Sequence, residues 1–574
     1  MRRVIVFALL TLLATSCTSL PDHGPVHRVQ STTTSKPAQL PNFAPPGPLP
    51  DASPEDIANG FLRALTAAPF TTSVARKFLT KQAAASWQPS DGTIVYSSAD
   101  LIRRRGGVDL NLSVTDRLDG SGSWLTPTVP TQSVRLDMVR VAGQWRIANP
   151  ADKLVIPQTY FVDGFQRLNR YFFDQTGSAL VSTPVFLLRG EQLATELVRS
   201  LLTGPSSSVA DILHSAFPVW ALPADLSVVV SAKGVAQVPV SKQVADLPAD
   251  QLNKAMAQLA WTLRQVESVN AVQLTIDGIP LPLAGDQNAI PVTNVDEFNA
   301  LTPSSDIWGL RDGRLVVWRG RKTWQGLGAL GGPGRSWRSL AVNERTAQVA
   351  AVSSDGHQLQ VMGVPRLTPA SQGPLIEGTD LLAPSFDALG NLWVVDRADG
   401  RAVVWLWDGA KARKIAMNGV SGHAVQSASI SGEGSRLVVG MSGKEPRVIV
   451  VNLLRDPDGA FLATGTTQSF PIQQSDLLQG SLVDLGWRSS DTLALLWRDD
   501  QRSRVSFMSS DGSPANPLRV VTSPYFGAAN SLVVSPDSAL PLALSNPDGR
   551  LVSPSVSGSW DTLTKDLSVA VYSR

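Results

Sequence analysis

The chain reads as a multidomain protein in which two small α+β domains precede an all-β propeller of six blades. Three observations predict this. A strand–turn–strand unit recurs six times after residue 300, two blocks of about 100 and 150 residues mix amphipathic helices with strands, and a Pro-rich stretch sets both apart from an apolar leader. At 574 residues there is room for this organisation, since roughly 150 residues make one domain.

The leader comes first. Met1, Arg2 and Arg3 form a positive segment, and Val4 to Ala14 is an apolar run of eleven residues. A bilayer-spanning helix needs about 20 such residues, so the run fits the apolar part of a signal peptide covering residues 1–16. Small residues are what a signal peptidase accepts before its cut, and Ala14, Thr15 and Ser16 supply them. Cys17 follows, the one cysteine in the chain. Leu13-Ala14-Thr15-Ser16-Cys17 resembles the bacterial lipobox, with the usual Leu displaced by one position. That resemblance implies diacylglycerol on the Cys17 thiol, acylation of the freed amine, and residence on the outer face of a cell membrane. A lone cysteine also excludes a disulfide framework and any multi-cysteine metal site.

Residues 17–50 form the stalk. Residues 18–50 hold eight Pro and seven Ser or Thr with few apolar anchors, too little burial to offset the entropy of ordering. His23 and His27 lie here without a helix to align them on a metal.

Residues 51–150 make the first folded domain. Ser53-Pro54-Glu55 is a helix start, with Ser as cap, Pro at the first position and an acid in the first turn. Ile57, Phe61, Leu62 and Leu65 then share one face, and residues 75–87 (ARKFLTKQAAASW) predict a second helix. Val134 to Ile147 predicts a hairpin turning at Ala142-Gly143. Helices followed by a curved antiparallel sheet resemble NTF2-like domains. No convergent His and Asp pair accompanies them here, so a scaffold is expected.

Residues 151–300 make the second. A helix running through EQLATELVRSLLTGP stops at Gly204-Pro205, and strands turn at Lys233-Gly234. From Pro248 onward Leu252, Met256, Leu259, Leu263 and Val266 give one apolar stripe, the mark of a helix against a core. It leads into the strand AVQLTIDG. The LLTGP stop and this closing helix–strand resemble the GerMN domain of sporulation and germination proteins, which implies a fold and an envelope location, with glycan or peptidoglycan association as the attached expectation.

Residues 301–574 carry the repeat. Turns fall at Asp312-Gly313, Asp355-Gly356, Asp399-Gly400, near Gly443, near Asp499-Asp500 and at Asp548-Gly549, spaced 43, 44, 44, about 56 and about 49 residues. Asp-Gly suits a hairpin because both central residues take positive φ. A further strand–turn precedes most copies, and four strands per period of about 45 residues is a propeller blade. Six copies predict six blades, with five or seven left open by the end repeats. The C-terminal DLSVAVYSR is placed to complete the first blade.

Composition bounds the chemistry. Fifty basic and 48 acidic side chains leave a net charge of +2, which gives no electrostatic case for nucleic acid. A propeller enzyme needs clustered polar ligands around its channel. Only His357 and His423 occur in this region, both in turns or loops, and most Asp residues sit at turns where they accept backbone bonds. No nucleophile elbow appears, and Gly328 to Gly334 lacks the Lys-Ser or Lys-Thr of a phosphate loop. No enzyme, cofactor or metal is therefore predicted. Trp318, Trp393, Trp405, Trp407 and Trp497 alternate within strands as packing residues, whereas Trp324 and Trp337 are placed in loops as candidates for an exposed binding surface.

Taken in order, the blocks SPEDIANGFLRALTAA, ARKFLTKQAAASW, RYFFDQTGSALVSTPVF and LLTGP resemble the actinobacterial lipoprotein LpqB family along essentially the whole chain. Val181-Ser182-Thr183-Pro184 stands where that family often shows Val-Pro-Asp-Pro. The resemblance implies a non-catalytic accessory of an MtrA/MtrB-type two-component system. Its expected partner is the extracellular domain of the MtrB-like sensor histidine kinase, and its expected role lies in envelope homeostasis and cell division.

Overall fold

The computed structural model describes residues 43–573, apart from 127–128, 284–287, 294–295, 299–303, 319–324, 332–333, 365–366, 368–372, 444, 473–479, 515–521 and 556. Residues 42–574 form one compact unit.

Order begins before residue 51. Phe43 and Ala68 exchange both backbone bonds, at 2.8 and 3.0 Å, so the last residues assigned to the stalk belong to the folded body. The helix Pro54–Ala64 starts as its sequence demands: the Ser53 hydroxyl accepts from the Asp56 amide at 3.1 Å, and the Asp56 carboxylate accepts in return from the Ser53 amide. Its buried face carries Ile57, Phe61 and Leu62. The single helix expected over residues 75–87 is instead two short ones, Ser73–Arg76 and Lys81–Ser86. The break has a cause. Ile147 donates to the Phe78 carbonyl and accepts from the Thr80 amide, and Thr80 then caps the second helix through its hydroxyl.

These helices pack on a five-stranded sheet of β1 (Gly92–Arg104), β2 (Gly107–Asp119), β3 (Thr131–Val141), β4 (Gln144–Ile147) and β5 (Leu154–Pro157), ordered β4-β3-β2-β1-β5. The β3–β4 hairpin turns at Ala142 and Gly143, with φ of 49° and 81°. β5 runs parallel to β1 and lies past residue 150, so the first domain extends beyond its expected end.

The second domain pairs β6 (Phe165–Asp174) with β7 (Leu180–Leu188) and β8 (Leu213–His214), and sets beside them a sheet of β9 (Val229–Val230), β10 (Val235–Pro239), β11 (Ala271–Ile276), β12 (Ile279–Pro280) and β13 (Ile290–Pro291). Between them lie the helices Leu193–Leu202 and Ala249–Leu263. Met256, Leu259 and Leu263 of the expected stripe are buried in the domain core, with Leu252 and Val266 at its edge. Gly204, at φ 95°, ends the first of these helices in the left-handed conformation only glycine adopts freely.

The C-terminal region is propeller-like. Among the described residues six sheets of three or four antiparallel strands follow one another. Their leading strands are Trp337–Asn343, Ser385–Phe386, Ser427–Ile430, Ser481–Trp487, Ser531–Val533 and Val569–Tyr572. Each lies against the next, and the last lies against the first. Val569–Tyr572 pairs with Ile307–Arg311, so the C-terminal strand completes the sheet begun at residue 307. The Asp312-Gly313 and Asp399-Gly400 turns take positive φ at both residues, as their hairpins require.

Candidate functional site: a polar seam between the three parts

The seam begins with two arginines three residues apart on β6. Arg167 and Arg170 lie in a strand of mixed apolar and polar residues (FQRLNRYFF), and each is taken up by a different neighbour. Arg170 is fully buried. Its guanidinium donates to the Ser123 hydroxyl at 2.8 Å and the Ser200 hydroxyl at 3.1 Å, and also to the carbonyls of Ser200 and Gly204 at 3.2 and 3.4 Å. A cation is thereby placed on the last turn of the helix Leu193–Leu202, where unpaired carbonyls make the helix end negative. Burial pushes the Arg170 pKa down to about 10, while the carboxylates of Asp119 and Asp511 oppose that fall, so the group stays charged at neutral pH. The same serines close the joint to the first domain. Ser200 donates to the Ser121 carbonyl at 2.6 Å, and the Phe186 amide to the Gly122 carbonyl at 2.9 Å. Gly122 leaves no room for a side chain, because a Cβ there would stand 2.7 Å from the Phe186 carbonyl.

Arg167 reaches the propeller-like region. Its Nη2 donates to the Asp491 carboxylate at 2.7 Å and the Ser509 hydroxyl at 2.8 Å. Burial alone pushes the Asp491 carboxyl up, but the adjacent guanidinium and the hydroxyls of Ser489 and Thr492 hold it below the usual range. Around this pair Ser182 meets Ser490 at 2.6 Å, and Gln175 bonds both the Leu453 carbonyl and the Arg455 amide. Asp211 accepts from Asn452 and from the Thr466 amide, both at 2.7 Å.

The propeller side is braced by two further buried pairs. Arg436 holds Glu433 at 2.9 Å and reaches the Ser490 carbonyl at 2.6 Å, while Arg455 holds Asp387 at 2.6 Å. Where the three parts meet, Ser123, Thr183, Ser208, Arg436 and Asp511 border a cavity of about 20 Å³, room for one water and no more.

The second domain docks on one end of the sheets. Residues 489–491 join a first strand to a second, and 509–511 follow a third strand, so both lie at the end opposite the second-to-third-strand turns such as Asp399-Gly400. The turns most legible in the sequence therefore face away from the seam.

Chemically the seam is a fastening. Its carboxylates and guanidiniums bond one another, serine hydroxyls and backbone groups across the joints. Among the described residues no group of three or more His, Cys, Asp or Glu could hold a metal ion. His357 and His423 are both exposed and belong to different sheets of the repeat. Ala14, Thr15, Ser16 and Cys17 lie outside the described residues, as do His23, His27 and Trp324. Trp393, Trp407 and Trp497 are buried between sheets as expected. Trp337 is a correction: it opens a strand, is buried, and donates from its indole to the Leu330 carbonyl at 3.0 Å, so it offers no surface. Arg167, Arg170 and Asp491 carried no sequence signal that set them apart from other charged residues of the chain.

Three family profiles match in the order of the three parts. "Lipoprotein LpqB, N-terminal domain" covers residues 47–162, "Sporulation and spore germination" covers 169–282, and "Lipoprotein LpqB beta-propeller domain" covers 313–550. The first of these ends where β5 and the helix Gln158–Gly164 end the first domain. The chain is 28% identical to "Lipoprotein LpqB" of Streptomyces coelicolor over 95% of its length and 94% of the relative's. It is 26% identical to that of Thermobifida fusca over 88% of both chains, and 26% to that of Mycolicibacterium smegmatis over 89% and 88%. In sequence, in the order of its parts and in its propeller-like C-terminal region, the chain belongs to the lipoprotein LpqB family of actinobacteria.

Proposed function

We propose that the protein is an extracytoplasmic lipoprotein, held on the cell membrane through acylated Cys17, that acts as a non-catalytic accessory of an MtrB-like sensor kinase in envelope homeostasis and cell division. The observation that carries this reading is family membership across nearly the whole chain, joined to a seam whose polar side chains bridge the three parts. In the same reading the six sheets are the six blades of a closed propeller, and residues 51–150 are an NTF2-like scaffold whose helices fill a curved sheet.

A tethered body of this kind shifts a sensor only by binding one of its states more tightly than the other. Anchoring helps by raising the local concentration of the body around a partner in the same membrane. A body fastened as one piece presents its surfaces in a fixed arrangement, which keeps differential binding from being lost to internal motion.

The test is capture of the purified mature chain by an immobilised sensor ectodomain, followed by a crosslinking map. Enrichment with crosslinks to defined faces is expected, and no enrichment above a control ectodomain overturns the reading. The rival function, glycan or peptidoglycan binding, is favoured by likeness of residues 169–282 to sporulation and germination proteins. It requires the chain to sediment with purified cell wall in the absence of any sensor.

A further inference from the structure

One end of the second domain exposes apolar side chains that its own core does not use. The short turn Val219–Ala221 buries Ala221 but leaves Val219 83% and Trp220 48% exposed, and the β11–β12 hairpin leaves Ile279 70% exposed. Three bonds bring these two loops to one place. The Ser241 hydroxyl donates to the Trp220 carbonyl at 2.6 Å and its amide to the Ala221 carbonyl at 3.1 Å. The next residue, Lys242, pairs with Asp277 of the hairpin turn at 2.9 Å. The tip is thus held by a backbone bond, a hydroxyl bond and an ion pair, and presents its side chains as it stands.

We propose that Val219, Trp220 and Ile279 form a tip that inserts into the headgroup boundary of the lipid bilayer and fixes how the anchored body stands on it. This rests on the reading of Cys17 as the lipid anchor. Three observations select lipid as the occupant. The patch is small: at about 150–250 Å² for a full large side chain, its exposed part is of order 350 Å², well short of the ~800 Å² per partner of a stable protein interface. The tip combines an indole with two β-branched aliphatics and a lysine whose ammonium is exposed, the set that favours the membrane–water boundary. The 25 residues between Cys17 and Phe43 span at most about 90 Å, so the body stays within reach of the surface it is tied to. A tip too weak to bind lipid by itself becomes effective when an anchor already holds the chain there.

The experiment uses the full lipidated chain reconstituted through its anchor into anionic phospholipid vesicles. With Cys17 acylated, Val219→Cys supplies the sole free thiol for a polarity-sensitive fluorophore, and Phe526→Cys, at a 78% exposed position of the C-terminal region, is the control. The expected result is blue-shifted emission at 219, quenched several-fold more by brominated lipid than at 526. Adding Trp220→Ser and Ile279→Ser to the Val219→Cys chain should bring its quenching to the control level. A chain that is anchored yet keeps its 219 probe in water overturns the tip and leaves the anchor standing. A chain that vesicles do not retain overturns both. Protection at 219 only after a sensor ectodomain is added, or only at high concentration of the chain without vesicles, assigns the tip to a protein and also overturns the proposal.

Discussion

Arg167 on β6 and Asp491 in the C-terminal region, 324 residues apart in sequence, share a bond of 2.7 Å with the carboxylate almost wholly buried. Around it, Ser182 with Ser490 and Gln175 with Leu453 and Arg455 make neutral bonds worth about 1 kcal/mol each, and the Asp211 carboxylate accepts from Asn452 and the Thr466 amide. The ion pair and the Asp211 carboxylate are therefore the two charged contacts that fix how the second domain sits on the sheets, with the neutral bonds around them.

Arg167→Ala leaves the Asp491 charge buried with hydroxyls alone to serve it. Removing one partner of a buried pair costs about 3 kcal/mol or more, so the urea midpoint should fall and protease cleavage near the seam should rise. The pH dependence fixes the assignment. Asp491 is held below its ordinary pKa in the folded state, so the stability it contributes is full above the unfolded value and fades as pH falls through the folded one. The gap between wild type and variant should thus be widest near neutral pH and narrow in acid. A gap independent of pH defeats this account.

Asp484 predicts the opposite slope. Its carboxylate accepts from the Ser427 hydroxyl at 2.6 Å and from the amides of Leu485 and Leu532, both at 2.8 Å, stapling three successive sheets. Burial nevertheless raises its pKa, more than these donors lower it. A raised folded pKa contributes stability in acid that is lost as pH climbs from the unfolded value through the folded one. Relative to Asp484→Asn, wild type should therefore be most stable in acid and lose ground toward neutral pH. Paired denaturation curves at both ends of that window decide it.

Ring closure makes a steric prediction. Gly309 lies opposite Ala570 in the sheet completed by the C-terminal strand, and a Cβ there would stand 2.7 Å from the Val569 carbonyl. Backbone cannot yield as a side-chain tip can, so Gly309→Val should cost about 1–3 kcal/mol and release the C-terminal strand first. Hydrogen exchange over residues 569–572 should accelerate ahead of the other sheets, whereas uniform loss of protection contradicts closure by this strand.

What the sequence conveyed depended on how local each feature is. The Asp-Gly turns, the Ser53 cap and the stop at Gly204 are set by residues within a few positions of one another, and all three stand where the pattern put them. The residues 75–87 failed as one helix because the decisive partner, Ile147, lies some 70 positions downstream. Trp337 failed for the same reason: its indole acceptor and its packing neighbours come from other turns and strands. The seam was illegible altogether. Nothing near Arg170 distinguishes an arginine that caps a helix end inside the protein from one that faces water.

The anchor is the most consequential prediction. Each methylene buried in lipid contributes about 0.8 kcal/mol, and two chains turn transient binding into stable residence. Among the described residues no helix is long and apolar enough to cross a membrane, so no spanning segment there competes with acylated Cys17 for retention. Cys17→Ser removes the only thiol that can take the diacylglycerol. The variant should lose the acyl mass by intact-protein mass spectrometry and shift from the membrane fraction to the soluble one. Its folded body should keep the wild-type urea midpoint, because the first described contact of the body is at Phe43. A variant that stays with the membrane at wild-type level shows that something other than the acylated thiol holds the chain there.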